Sequence, residues 1–94
     1  MNLQNKNRIQ DNEELYKVQY STSVPNTPVY VYMLKITNPN SSGSNTFTYQ
    51  LKNMQSEATV SVPAGITVSL PQGEYVSIGT LPEGFTVKIA YQEL

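Results

Sequence analysis

The chain contains no cysteine, no histidine and no tryptophan in 94 residues. Without cysteine there are no disulfides, no thiolate metal ligands and no thiol nucleophile. Without histidine the commonest general base and the commonest metal ligand are missing, and so is the side chain that titrates near neutral pH. Without tryptophan the aromatic favoured for stacking on sugar rings is lost. Charge is sparse and nearly balanced, with six basic and seven acidic residues and a net charge of −1. A nucleic-acid binder gathers a basic surplus on one face, and none is visible. No apolar run is long enough to span a bilayer. Four of the five glycines fall in Pro-x-Gly triplets or in a serine-rich loop, so no phosphate cradle precedes a helix.

What remains is rich in Ser, Thr, Asn, Gln and Tyr, the texture of extracellular β-proteins. The opening run, Met1 to Arg8, lacks the apolar segment of an export signal. Proteins made in a cytoplasm that work outside it, as in virus particles, reconcile these two features.

The length suits one domain, and 38% hydrophobic residues suit a modest core. Three triplets punctuate the second half: Pro63-Ala64-Gly65, Pro71-Gln72-Gly73 and Pro82-Glu83-Gly84. Proline presets φ for the first corner of a turn, and glycine accepts the left-handed φ that closes it. Between the triplets apolar and polar residues alternate, the period of a half-buried strand. The first triplet is expected to close a three-residue hairpin loop with Val62 and Ile66 both inward. The second would set Leu70 against Glu74, so it is expected to be an arch between two sheets. The third needs either a bulge at Gly79-Thr80 or a four-residue loop over 81–84.

Seven strands are predicted, over about 15–22, 29–37, 46–51, 57–62, 66–70, 74–80 and 85–91. In the first strand Tyr16, Val18 and Tyr20 share one face, and the predicted inward residues include Phe47, Tyr49 and Leu51, then Ala58, Val60 and Val62. Ile66, Val68, Leu70, Val76, Ile78, Phe85, Val87, Ile89 and Tyr91 complete the set. The expected fold is all-β, a small seven-stranded antiparallel β-sandwich of Greek-key or immunoglobulin-like type, over residues 15–94.

Residues 1–14 read as a polar N-terminal arm, with Leu3 and Ile9 as its apolar anchors. Asp11-Asn12-Glu13-Glu14 could form a capping box for one helical turn. The second strand is apolar on both faces: Tyr30, Tyr32, Leu34 and Ile36 on one, Val29, Val31 and Met33 on the other. Either it is covered twice or one face meets a partner. Leu3, Ile9, Val29, Val31 and Met33 are accordingly the expected interface residues.

The acidic residues lie in the arm, in or beside turns and on outward strand positions. Paired-carboxylate chemistry needs two of them held across a cleft, so the chain is read as no enzyme, with no metal and no cofactor. Asn40-Ser41-Ser42 matches the glycosylation sequon but reads as an ordinary polar loop. Tyr30 and Tyr32 point the same way and could serve as a sugar platform, although tyrosine also suits strands and interfaces.

In size, composition and layout the whole chain resembles the small β-sandwich decoration, cement or head-fibre-anchor proteins of tailed phage capsids. The resemblance implies a virion component assembled in the host cytoplasm. It would bind the major capsid protein or another virion protein, often as a homo-oligomer, with the arm gripping a neighbour and no role for nucleic acid or membrane. The alternative is a secreted or cell-surface β-sandwich module of carbohydrate-binding or adhesin type. An intracellular regulatory or scaffolding domain is a further rival.

Overall fold

A computed structural model of the chain describes residues 17–43 and 45–94. The strands are β1 (Gln19–Ser21), β2 (Val29–Thr37), β3 (Thr46–Leu51), β4 (Ala58–Ser61), β5 (Thr67–Leu70), β6 (Gly73–Ile78) and β7 (Thr86–Glu93), with no helix among the described residues. All pairing is antiparallel within one sheet of order β1-β7-β2-β6-β3-β4, and β5 also pairs with β2. The all-β, seven-stranded, antiparallel expectation holds. The strands form one continuous sheet, bent on itself.

β2 is the hub. One edge pairs along its whole length with β7, from Val29 opposite Glu93 to Thr37 opposite Thr86. The other edge meets β5 at Leu34–Thr37 and β6 at Val29–Val31. Its apolar surplus has a local cause. The register with β7 shifts between Val31 and Met33, leaving Tyr32 as an extra residue. In a regular strand Val31 and Leu34 would point to opposite faces. The bulge restores both to the same side. Val29, Val31, Leu34 and Ile36 are all buried, none more than 1% exposed. Tyr30, Tyr32 and Met33 remain on the outside. The expectation that Val29 and Val31 face a partner therefore gives way: the chain's own core uses them.

β6 repeats the device. Gln50 pairs with Ser77 but Leu51 pairs with Tyr75, so Val76 is the extra residue. Val76, expected inward, is 40% exposed, while Tyr75 is fully buried. Ile78 packs against the core as expected. Of the two alternatives for the third triplet, a bulge at Gly79-Thr80 is not the one seen: the register shifts earlier, at Val76. Gly79 has a different role: its N–H donates to Thr48 O at 2.7 Å. A Cβ there would come within 2.7 Å of Thr48 Oγ1 and 3.1 Å of Thr48 O, so only glycine allows the two backbones to approach.

β6 also changes partner. Gly73–Tyr75 pairs with β2 and Tyr75–Ile78 with β3. The sheet bends there, which brings Phe47 and Val62 into one buried cluster with the β2 and β7 residues. Tyr75 sits at this corner. Its ring lies 5.6 Å from that of Tyr49, tilted by 44°, a favourable aromatic geometry. Its hydroxyl donates to Pro71 O at 2.5 Å. A tyrosine reaching back a few residues to the main chain also fixes corners in immunoglobulin-type sandwiches. Burial, assisted by Tyr49, pushes the Tyr75 hydroxyl pKa well above the ordinary tyrosine value.

The triplets divide. Pro63-Ala64-Gly65 is the crossover and closes no hairpin, because β4 pairs with β3 whereas β5 pairs with β2. Its turn is closed by Ile66 N–H donating to Pro63 O at 3.1 Å, with Gly65 at φ +75°. Ile66, expected inward, is 46% exposed. Buried Asn38 uses every polar group it has, three of them on this turn and the residue before it. Its N–H donates to Ile66 O and its C=O accepts from Gly65 N–H. Its Nδ2 donates to Val62 O and its Oδ1 accepts from Asn40 N–H.

Pro71-Gln72 is neither arch nor turn. Leu70 lies opposite Leu34 and Gly73 opposite Val31, so the chain runs on along β2 past its bulge. Proline has no N–H to give a ladder and is tolerated where the ladder is interrupted. Pro82-Glu83-Gly84 forms a turn closed by Phe85 N–H to Pro82 O at 3.2 Å. β6 and β7 do not pair through it, because β2 lies between them.

Candidate binding face

The inner face of β2 is used up by the core. The outer face of β5, β2, β7 and β1 can be built row by row from the register. Thr67, Thr37 and Thr86 form one row, with the Thr37 and Thr67 hydroxyls 2.6 Å apart. Ser69, Lys35 and Lys88 form the next. Met33, Ala90 and Tyr20 follow. Tyr30 opposite Gln92, with the bulged Tyr32, completes the face. One end is hydroxylated, the middle is cationic, and the other end is aromatic.

Tyr20 is 80% exposed, the most open large side chain of its row. It was expected to share a face with Tyr16 and Val18. Tyr16 lies outside the described residues, and Val18 is also exposed. The parity of β1 is set by Gln19, whose Oε1 accepts from the hydroxyl of buried Tyr91 at 3.1 Å. With Gln19 turned toward Tyr91, Tyr20 must point out, above Ala90. Tyr32 is held in place by its hydroxyl, which donates to Gln92 Oε1 at 2.8 Å. Its ring centroid is 5.0 Å from that of Tyr30, at 58°. Rings so tilted form no flat platform for a sugar. A shallow groove of about 560 Å³ is lined by Tyr20, Ser21, Thr22, Met33, Lys88 and Ile89.

Lys35 lies directly opposite Lys88. Like charges facing each other across a ladder destabilise it by roughly 0.2–1 kcal/mol. Among the described residues neither takes part in an ion pair; the pair there is Lys52–Glu74, at 3.8 Å. The face therefore offers aromatic and thioether surface beside two unneutralised ammonium groups. Such a surface can hold a partner.

No family model matches the chain, and neither does a curated protein or a solved structure.

Of the residues expected at an interface, Met33 alone stands on this face. Val29 and Val31 are in the core, and Leu3 and Ile9 lie outside the described residues, as does the possible capping box at Asp11–Glu14. Among the described residues no group of His, Cys, Asp or Glu is arranged to hold a metal. The Asn40 Nδ2 that a glycan would modify donates to Glu83 O at 2.7 Å. Tyr20, Lys35 and Lys88 are the members that sequence reasoning missed, while Tyr30 and Tyr32 were singled out. Their grouping depends on two registers and a bulge, for which the sequence carries no short-range signal.

Proposed function

We propose that this chain is a non-enzymatic structural protein of a virus particle, a decoration or minor component that acts through protein–protein contacts. The observation that carries the contact role is the outer face, where Tyr20, Tyr30, Tyr32 and Met33 lie together on a rigid sheet. Tyrosine and methionine are enriched at protein interfaces, and grouped apolar surface marks contact sites. Ordering these side chains on strands lowers the entropy cost of docking. The virion assignment rests on the whole-chain layout resemblance to capsid decoration proteins. In this reading the partner is the major capsid protein or another virion protein, and the chain assembles as a homo-oligomer.

The test is co-purification. Particles from a culture carrying the gene are banded by density and their proteins quantified by mass spectrometry. The chain is expected at a constant ratio to the major capsid protein across the band. Adding Tyr20→Glu/Met33→Glu protein to particles lacking the component should give about tenfold less occupancy or lower, a loss of about 1.4 kcal/mol. Recovery of the chain only in secreted or cell-surface fractions would overturn the virion role.

A further inference from the structure

The outer face has an unmet electrostatic demand. Lys35 and Lys88 oppose each other, are exposed, and have no carboxylate partner among the described residues. Beside them stand Met33 and Tyr20, half-buried and exposed, along the groove. A complementary occupant carries clustered carboxylates next to an aliphatic or aromatic side chain. The chain has such a segment. Asp11-Asn12-Glu13-Glu14-Leu15-Tyr16 places three acids directly before a leucine and a tyrosine.

We propose that residues 11–16 of one copy dock on the Lys35, Lys88, Met33 and Tyr20 face of a second copy, joining the chain into a homo-oligomer. The inference rests on the contact role proposed above and names the partner for this face. Geometry selects the second copy over the same chain. Among the described residues β1 is an edge strand that pairs with β7 alone, Gln19 opposite Tyr91 and Ser21 opposite Ile89. Continuing this register puts Lys17 toward Glu93, at the end of the face away from Lys88. The described chain therefore enters the face at the end away from its own lysines. Across a two-fold axis at the β1 edge, that entry point lies at the lysine end of the other copy. Such a contact is self-complementary, which is what a two-fold dimer requires. It also covers an edge strand that would otherwise be open.

The test uses the full chain and its mass in solution, measured by sedimentation at low and high salt. An oligomer is expected that weakens as salt rises, because exposed ion pairs are screened. Lys35→Glu/Lys88→Glu should weaken association about tenfold or more, with an unchanged circular dichroism spectrum. Asp11→Lys/Glu13→Lys/Glu14→Lys should do the same. Combining the two sets should restore it, since the swap re-pairs the charges. A monomer at all concentrations would overturn the proposal. So would an oligomer indifferent to either set, or a combined variant that stays dissociated. A monomeric chain that still co-purifies with particles sinks this inference alone and leaves the virion role standing.

Discussion

Pro63-Ala64-Gly65 and Pro71-Gln72-Gly73 share a signature and do opposite things. The first turns the chain from the β4 side of the sheet to β5 and is held from below by Asn38. The second lets the chain pass straight from β5 to β6, and the hydroxyl of Tyr75 holds it from ahead. Turn chemistry permits a reversal at either place. What selects it is the neighbouring strand. After Leu70 the edge of β2 is still open, so continuing along it satisfies main-chain groups that a turn would leave bare. After Val62 no such edge lies ahead, because β4 has run to the end of β3.

The contrast can be broken by removing its holders. Tyr75→Ala is expected to have the largest effect, since it empties the corner: roughly 3–5 kcal/mol of stability lost in urea unfolding. A loss under about 1 kcal/mol would mean that the bend in β6 holds without it.

Asn38→Ala comes next. It leaves Val62 O without its donor and Asn40 N–H without its acceptor, one of them deep in the structure. The expected cost is about 1–3 kcal/mol. Amide hydrogen exchange should rise at Gly65 and Ile66 before it rises at Gly73. Equal loosening of both triplets would show that Asn38 serves the whole fold and not the crossover.

Gly65→Ala and Gln72→Ala sharpen the comparison. Gly65 holds φ +75°, where a side chain costs roughly 1–2 kcal/mol. Gln72 is exposed, and its replacement should stay within about 0.5 kcal/mol. Equal thermal midpoints for the two variants would erase the distinction.

The last expected effect is that of a proton. Tyr75 keeps its hydroxyl protonated in the folded state at pH values where the unfolded chain gives it up. Its contribution is complete below the ordinary tyrosine value of about 10 and is lost as pH rises beyond it. Stability should fall above that point by about 1.4 kcal/mol per pH unit for this proton. Tyr75→Phe should be less stable by about 1 kcal/mol near neutrality and should show a shallower alkaline slope. An identical slope would assign the alkaline branch to other tyrosines.

Much of the fold was legible. The bounds of the second strand, 29–37, and of the third, 46–51, could be read from alternation and from the polar loops beside them. So could the inward set Val87, Ile89 and Tyr91. The third strand and the Val87 set rest on runs where period two is unbroken, whereas the second strand owes its bounds to the polar loops beside it and holds a bulge within. Where the period breaks, the reading inverted: Val76 was expected in and is out, and Val29 and Val31 were given to a partner and belong to the core. A bulge adds one residue and changes every side chain's face beyond it, yet it leaves no mark in composition. The binding face suffered most, because it is assembled from β1, β2 and β7. Lys35 and Lys88 become neighbours only when the β2–β7 register is known.

β2 depends on β7 along its full length, yet the two are far apart in the chain. A nascent polypeptide that has not reached residue 86 has Val29, Val31, Leu34 and Ile36 with one flank bare. β1 has no strand to join either, since β7 is its only neighbour among the described residues. Local segments can make fleeting hairpins, such as β3 with β4, but cooperative folding must wait for the last strand. Acquisition of structure is therefore a late event in synthesis. A message cut short before residue 86 yields an apolar, sticky strand with one edge unpaired, a product fit for proteolysis and not for partial function.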